Sequence, residues 1–386
     1  MNSAIIRYHE VALKRGNRPY FVELLKRNLR SSVAGLGLKE VKNLPGRLCM
    51  VFNGEADSDE IRRRLACVFG VANFSFVERT AVDLADLKSK ILESLKGKEF
   101  SSFRIQTKRA DKTFPLNSPD VNREVGAAVK AYSGARVDLK NAELTIGIEI
   151  LSRDAFFSLD KIPGPGGLPV GASGRVISLI SGGIDSPVAA YRMMQRGCRL
   201  IFVHFHSSPY LDKTSQEKVK ELVKILTRHQ YSSRLYLVPF GEIQRQIVTA
   251  VLRPLRVVLY RRMMMRLAEA IAFSEKAGAL VTGESLAQVA SQTLQNLTVI
   301  EKAATLPILR PLVGMDKQEI IDQARRNGSF EISILPDQDC CQLFVPRHPD
   351  TKASLVAVEK AESRLDLPAL IQLGTENAET IDFKFP

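Results

Sequence analysis

The sequence predicts an α/β chain in which an α+β N-terminal half precedes a doubly wound parallel sheet. Two observations carry this. The stretch Lys161-IPGPGGLPVGASG-Arg175 holds five glycines and three prolines, so neither helix nor strand is expected to run through it. Beyond it, short β-branched runs alternate regularly with helical segments, whereas before it strands and helices mix without that rhythm.

In the first half, Ala4–Tyr8 and Arg47–Phe52 read as strands, with the amphipathic Tyr20–Val33 helical between them. Ala56–Val68 reads as a helix and Asn73–Arg79 as a strand. Phe103–Lys108 and Glu143–Ile150 read as strands flanking a helix near Val121–Tyr132. Two small α+β units fit this better than one large one. In the second half the strands are Val176–Ile180, Leu200–His204, Arg234–Pro239, Ala279–Thr282 and Thr305–Arg310. Between them lie helices Ser186–Arg196 and Thr214–Arg228 and long helical material over Glu242–Phe273. A parallel sheet of this kind binds ligands beyond the carboxyl ends of its strands.

A chain of 386 residues has material for two or three packed domains. No apolar run reaches membrane-spanning length, and the polar start Met1–Arg18 is no signal peptide, so a cytoplasmic protein without membrane attachment is expected. The five cysteines (Cys49, Cys67, Cys198, Cys340, Cys341) are odd in number and show no C-x-x-C spacing, which argues against a disulfide framework or structural zinc; no metal-ligand set is assigned. Residues 1–175 carry 29 Lys+Arg against 20 Asp+Glu, and residues 176–386 carry 26 against 22. That asymmetry suits a polyanion partner on the N-terminal side, or simply a solvated basic surface.

The first strand of the second half runs into LISGGIDSPVAAYRMM, Leu179–Met194. Strand, glycine turn and helix start follow in order, with Pro187 suited to the first helical turn and Gly197 to the stop. Such a turn offers backbone N–H groups at a helix N-terminus, a place for phosphate. It lacks the Walker lysine and the G-x-G-x-x-G spacing. Instead Ser181-Gly182-Gly183-Ile184-Asp185-Ser186 resembles the SGGxDS loop of the PP-loop ATP pyrophosphatases, which split ATP to AMP and pyrophosphate. Other strand ends add to the site. The backbone at His204-Phe205 can pair with an adenine edge, although a core histidine is the plain alternative. Gly283 in VTGES permits close approach of a ligand. Arg261 and Arg262 are within reach of phosphates, unless they belong to a solvated helix face. In DCCQLF, Asp339–Phe344, vicinal cysteines lie near Arg347 and His348, which favour a thiolate; packed thiols are the alternative.

Together these runs resemble the tRNA 4-thiouridine synthetases (tRNA uracil 4-sulfurtransferases, the ThiI family). The matching stretches are LISGGIDSPVAAYRMMQRG, TGESLAQVASQTLQNL, LRPLVGMDKQEI, DCCQLFVP, the linker's GGLPVG, ALKRGNRPYF near the start, and FRIQTKRADKTFPLNS, which resembles a THUMP RNA-binding module. The resemblance implies a ferredoxin-like domain over 1–55, THUMP over 56–161, a linker over 162–175 and a PP-loop ATP pyrophosphatase domain over 176–386. It also implies the reaction: ATP adenylates the C4 oxygen of uridine 8 in tRNA, and a cysteine persulfide attacks C4. ATP contacts then fall on Leu179, Ile180, Ser181, Gly182, Gly183, Ser186, His204, Phe205, Arg261, Gly283 and Gln292. Asp185 takes a catalytic role in positioning Mg2+ and pyrophosphate. Lys108, Arg109 and Lys112, around Phe114, face tRNA phosphates.

The sulfur carrier is Cys341 by the family's acidic–any–Cys pattern, with Cys340 one residue away. Many relatives carry a C-terminal rhodanese domain; no cysteine follows Cys341 here, so sulfur is expected from a cysteine desulfurase directly or through a separate rhodanese protein. The thiazole (thiamine) role of some longer relatives is not implied, and a homodimer is compatible with the sequence. Two rival readings are another PP-loop tRNA-modifying enzyme and an RNA-binding protein with a degenerate ATP fold. The missing C-x-x-C argues against cytidine thiolation, the cysteine pair against lysine ligation, and the intact SGGIDS turn against the degenerate fold.

Overall fold

The computed structural model describes residues 3–54, 56–110, 113–336, 344 and 349–386. The chain divides after Gly167 into two compact units.

The first unit contains, in order, β1 (Ser3–Arg7), α1 (Arg18–Ser32), β2 (Leu38–Leu44), β3 (Arg47–Phe52), α2 (Ser58–Leu65), β4 (Asn73–Thr80), α3 (Leu84–Ser94), β5 (Ser102–Arg109), α4 (Ser118–Ser133), β6 (Arg136–Val137), β7 (Leu144–Ile150), β8 (Ala155–Ser158) and β9 (Ile162–Pro163). They form one sheet in the order β2-β3-β1-β4-β8-β7-β5-β6, with β9 also on β4. The strand β4 joins its two parts: Asn73–Val77 pair with β1, and Glu78–Thr80 pair with β8. Its two main cores run from Ala4 to Phe76 and from Leu87 to Phe157, beside a smaller cluster of Ile5, Cys49, Val77, Leu151 and Phe156. Helix α2, placed by sequence with the second of these, gives Ile61 and Leu65 to the first. Its sequence SDEIRRRL has only those two apolar positions, too few to say which core they enter. The linker is not wholly free of pairing, since Ile162 and Pro163 pair with Phe74 and Asn73. Gly164 follows them because a Cβ there would sit 2.3 Å from the Val71 carbonyl oxygen.

The second unit contains β10 (Arg175–Leu179), α5 (Asp185–Gln195), β11 (Arg199–His206), α6 (Thr214–Gln230), β12 (Ser232–Pro239), α7 (Gly241–Ala250), α8 (Arg256–Ser274), β13 (Leu280–Val281), α9 (Leu294–Glu301), β14 (Ile308–Leu309), α10 (Lys317–Asn327), α11 (Phe330–Ser333), α12 (Leu355–Glu362), α13 (Leu367–Glu376) and β15 (Glu379–Lys384). The sheet order is β14-β13-β10-β11-β12-β15. All pairs are parallel except that of β15, which closes the β12 edge antiparallel. Its main core gathers Ile177, Val203, Val238 and the inward face of α8.

The helical material over 242–273 is broken. Val251 is extended and Pro254 lies in a 3-10 turn, because proline can neither donate to the preceding turn nor avoid its carbonyl. Among the described residues, no helix is long and apolar enough to cross a membrane.

Candidate nucleotide site

β10 ends at Leu179, and the chain turns through Ser181–Ile184 into α5. The turn is held from within. Ser186 Oγ accepts the Ser181 N–H at 2.9 Å and donates to the Ser181 carbonyl at 3.2 Å, while the Gly183 N–H reaches Ser181 Oγ at 3.4 Å. The N-cap position of α5 is Ile184, whose apolar side chain makes no cap hydrogen bond. The helix therefore presents the positive end of its dipole where an anion can supply the missing acceptors.

Beside this turn, at the carboxyl ends of the parallel strands, lies a cavity of about 270 Å³. Leu179, Ile180, Ser181, Gly183, Ser186, His204, Phe205, Arg261, Gly283 and Gln292 all line it, as does Asp185. Gly182 is buried in the same turn and does not. Residues up to 113 positions apart in sequence are thus gathered at one place, by a sheet that brings its strand ends together. His204 is buried, with Nδ1 3.0 Å from the Ile180 carbonyl oxygen. A carbonyl only accepts, so Nδ1 carries the proton. Phe205 packs edge-on against Phe240 at 5.5 Å, tying the cavity wall to the core.

Two expectations need correction. Arg262 does not reach the cavity. It is 1% exposed and donates to both oxygens of Glu362, at 2.9 and 2.7 Å. Successive residues of a helix point about 100° apart, so Arg261 on the cavity side puts Arg262 into the core. Removing its partner would strand a buried guanidinium. Glu362→Ala is accordingly expected to cost about 3–5 kcal/mol of stability, read from the urea midpoint; a loss below about 1 kcal/mol, the range of an exposed pair, would contradict the burial argument. The second correction concerns Gly283, read as making room for a ligand. A Cβ there would lie 2.7 Å from Ser186 N and 2.9 Å from Asp185 C, so the space it leaves is filled by the start of α5 itself.

The site also contains residues that sequence reasoning passed over. Asp185 accepts from Lys317 Nζ at 2.6 Å and from Gln288 Nε2 at 3.0 Å. Lys317 opens α10, placed there by a capping box between Asp316 and Glu319. A cation at a helix N-terminus opposes the dipole, so its position is explained by the carboxylate it meets. The D-x-x-E signature of that cap was the available signal. Glu284 is buried in the cavity wall, bonded to Thr282 Oγ1 and Arg310 Nε, each at 2.9 Å. Arg310 also holds Glu301. Val203, Met264, Gln288 and Val289 complete the lining.

His206 ends β11, two residues beyond His204. Burial, with smaller contributions from His204 and Lys213, pushes its imidazole down to about 4. Its Nδ1 accepts from the Ser208 N–H at 3.4 Å, as the neutral ring allows. Between about 4 and the ordinary value near 6.5, the unfolded chain binds more protons than the native one. The stability this histidine allows is therefore lost as pH falls through that window. His206→Asn should make the drop in urea midpoint between pH 7 and pH 5 shallower; an unchanged drop would rule the group out as its source.

In the first unit, Lys108 lines a polar cavity of about 100 Å³ with Arg7, Lys161, Glu149 and Asp160. Burial lowers its pKa, as do Arg7, Lys161 and Arg47. Arg109 is engaged locally, donating to the Phe114 and Leu116 carbonyls at 3.0 and 2.6 Å, and so shapes the loop that Phe114 anchors in the second core. Lys112 lies outside the described residues, as do Cys340, Cys341, Arg347 and His348. Of the described cysteines, Cys49 and Cys198 have thiols raised by burial, Cys49 to about 11, the opposite of activation.

The chain is similar to known proteins over nearly its whole length. A family model described as thiamine biosynthesis protein (ThiI) matches residues 171–367, the ThiI ferredoxin-like domain matches 3–75, and the THUMP domain matches 78–160. The probable tRNA sulfurtransferase of Thermus thermophilus is 48% identical over 379 residues, covering 98% of this chain and 93% of that protein. That of Moorella thermoacetica is 45% identical, covering 98% and 97%. A solved 4-thiouridine synthetase in complex with RNA and bound ATP superposes with a TM-score of 0.90 at 34% identity, covering both chains fully. A Pyrococcus horikoshii Ot3 structure matches with a TM-score of 0.65 at 25% identity, over 85% of this chain and all of that one.

Proposed function

Because this chain belongs to the ThiI family of tRNA sulfurtransferases, we propose that it uses ATP to replace the C4 oxygen of uridine 8 in tRNA by sulfur, giving 4-thiouridine. The observation that carries the reading is the convergence of the uncapped glycine turn and the strand-end residues on one cavity.

The C4 oxygen of uracil is a poor leaving group. With the ATP phosphates on the Ser181–Ser186 turn, that oxygen attacks the α-phosphorus, the bond to the β-phosphate breaks, pyrophosphate leaves and the N3 proton is lost. The terminal sulfur of a cysteine persulfide then attacks C4 and AMP departs with the oxygen. A second thiol opens the sulfur–sulfur bond, leaving 4-thiouridine and a protein disulfide that an external thiol reduces. Cys341 is the carrier and Cys340 the resolving thiol, with sulfur supplied by a cysteine desulfurase directly or through a separate rhodanese protein.

Lys317 holds Asp185 beside the turn and adds positive charge where pyrophosphate develops. Magnesium, bound through phosphate oxygens and one or two carboxylates, suits a site with Asp185 at the turn, where it would neutralise the leaving group. In the first unit, Lys108, Arg109 and Lys112 take tRNA phosphates.

The test is direct. Protein, tRNA, ATP and a sulfide source should yield 4-thiouridine by nucleoside mass spectrometry, with pyrophosphate release that requires tRNA. Pyrophosphate release without tRNA, or no 4-thiouridine, would overturn the reading.

A further inference from the structure

The cavity wall contains two acceptor oxygens that its own residues leave unfilled. Glu284 is 2% exposed, and its Oε2 takes both the Thr282 hydroxyl and Arg310 Nε. Its Oε1 is buried and has no hydrogen-bond partner among the described residues. Gln292, 6% exposed, has an Oε1 in the same condition. Buried acceptors of this kind are rare, because each forfeits the bond it made to water. Two of them in one ligand cavity call for a ligand with hydrogen-bond donors.

Their place in the fold says which donors. Glu284 directly follows Gly283, whose missing Cβ abuts Ser186 N in the phosphate turn. The strand end His204–Phe205 lines the same cavity from the other side of β10, in the sheet order β13-β10-β11. In a nucleotide spanning those two sides, the group between base and phosphates is the ribose, and its two hydroxyls are two donors. The adenine amino group also carries two N–H donors, but it belongs to the base, at the His204–Phe205 strand end. We propose that Glu284 reads the ribose. Its Oε1 accepts one hydroxyl and Gln292 Oε1 the other, so the site selects ribonucleotides over deoxyribonucleotides. This rests on the reading that the cavity takes ATP. Neither the carboxylate nor the amide takes part in bond making; Arg310 and Thr282 hold the carboxylate so that its second oxygen stays turned to the sugar.

The experiment compares ATP, 2′-deoxy-ATP, 3′-deoxy-ATP and purine riboside triphosphate as substrates for tRNA-dependent pyrophosphate release, in the wild-type protein and in Glu284→Gln. A hydrogen bond to a charged acceptor predicts that wild-type kcat/KM falls about 10- to 100-fold with the deoxy analogue whose hydroxyl Glu284 reads. In Glu284→Gln the amide oxygen stays with Arg310 and an N–H2 faces the cavity, so discrimination at that one hydroxyl should shrink to within a few-fold. Equal use of ATP and both deoxy analogues by the wild type overturns the inference without touching the proposed reaction. So does a variant that slows with every nucleotide but keeps the wild-type ratios, the behaviour of a carboxylate that merely closes onto Arg310 Nη2, itself unpartnered. If the discrimination lost in Glu284→Gln is instead that against purine riboside triphosphate, the carboxylate reads the base and the assignment to ribose falls. Absence of any tRNA-dependent release from ATP itself overturns the underlying reaction, and the inference with it.

Discussion

Asp185→Ala is expected to lower tRNA thiolation by about 10²–10³-fold, the usual cost of removing one preorganised charge from a transition state, while tRNA binding and fold survive. The carboxylate stands at the glycine turn, bridging Lys317 Nζ at 2.6 Å and Gln288 Nε2 at 3.0 Å. Its side chain is 21% exposed, and an ion pair so placed contributes about 0–1 kcal/mol to stability. Loss of the charge frees Lys317 and removes the carboxylate proposed to hold magnesium. The conservative Asp185→Asn separates two roles. An amide oxygen still accepts from Gln288, so if the carboxylate only anchors that loop, Asn restores activity. If its charge matters, Asn is as poor as Ala. Measured together, 4-thiouridine yield, pyrophosphate release and filter binding of tRNA decide the matter. Near-normal thiolation by Asp185→Ala would sink the assignment.

The contrast between Asp185 and its partner Lys317 shows what a sequence discloses here. Asp185 is legible because it belongs to a local signal: apolar strand, glycine turn, helix start. Lys317 lies 132 residues away and meets Asp185 only once α10 packs beside α5. Glu284 and Arg310 form their buried pair by the same kind of tertiary coincidence. The fold divides in a similar way. The inner strands β1, β3, β10, β11 and β12 announce themselves as apolar runs, because both their faces or most of one are covered. The strands β2 and β15 do not. Each is an outer strand of its sheet, LKEVKNL with one buried position and ETIDFK with none, so their charged residues mask the period-two pattern. Gly283 was legible as a special position, yet its reason was not: whether a glycine makes room for a ligand or for the protein's own backbone depends on where α5 begins.

Cys341→Ser is expected to abolish 4-thiouridine formation from a cysteine desulfurase while leaving tRNA-dependent pyrophosphate release intact. The argument is chemical, since both cysteines lie outside the described residues. A hydroxyl cannot carry a persulfide, whereas attack of the uracil oxygen on ATP requires no thiol. Of the three described cysteines, Cys49 and Cys198 offer no substitute, since both are buried and burial raises their thiol pKa values. Cys340→Ser should permit the first transfer and fail at release, because the sulfur–sulfur bond to tRNA then has no neighbouring thiol to open it. It should therefore leave a protein–tRNA conjugate that dithiothreitol resolves. Free sulfide at high concentration should partly rescue both variants, since sulfide itself attacks an activated C4. The measurement is 4-thiouridine yield beside pyrophosphate release for each single variant, with the desulfurase as donor and again with sulfide. Should Cys340→Ser be the dead variant and Cys341→Ser the trapped one, the two roles exchange. Were both to thiolate normally from the desulfurase, the pair is structural and sulfur reaches C4 by a route that uses neither.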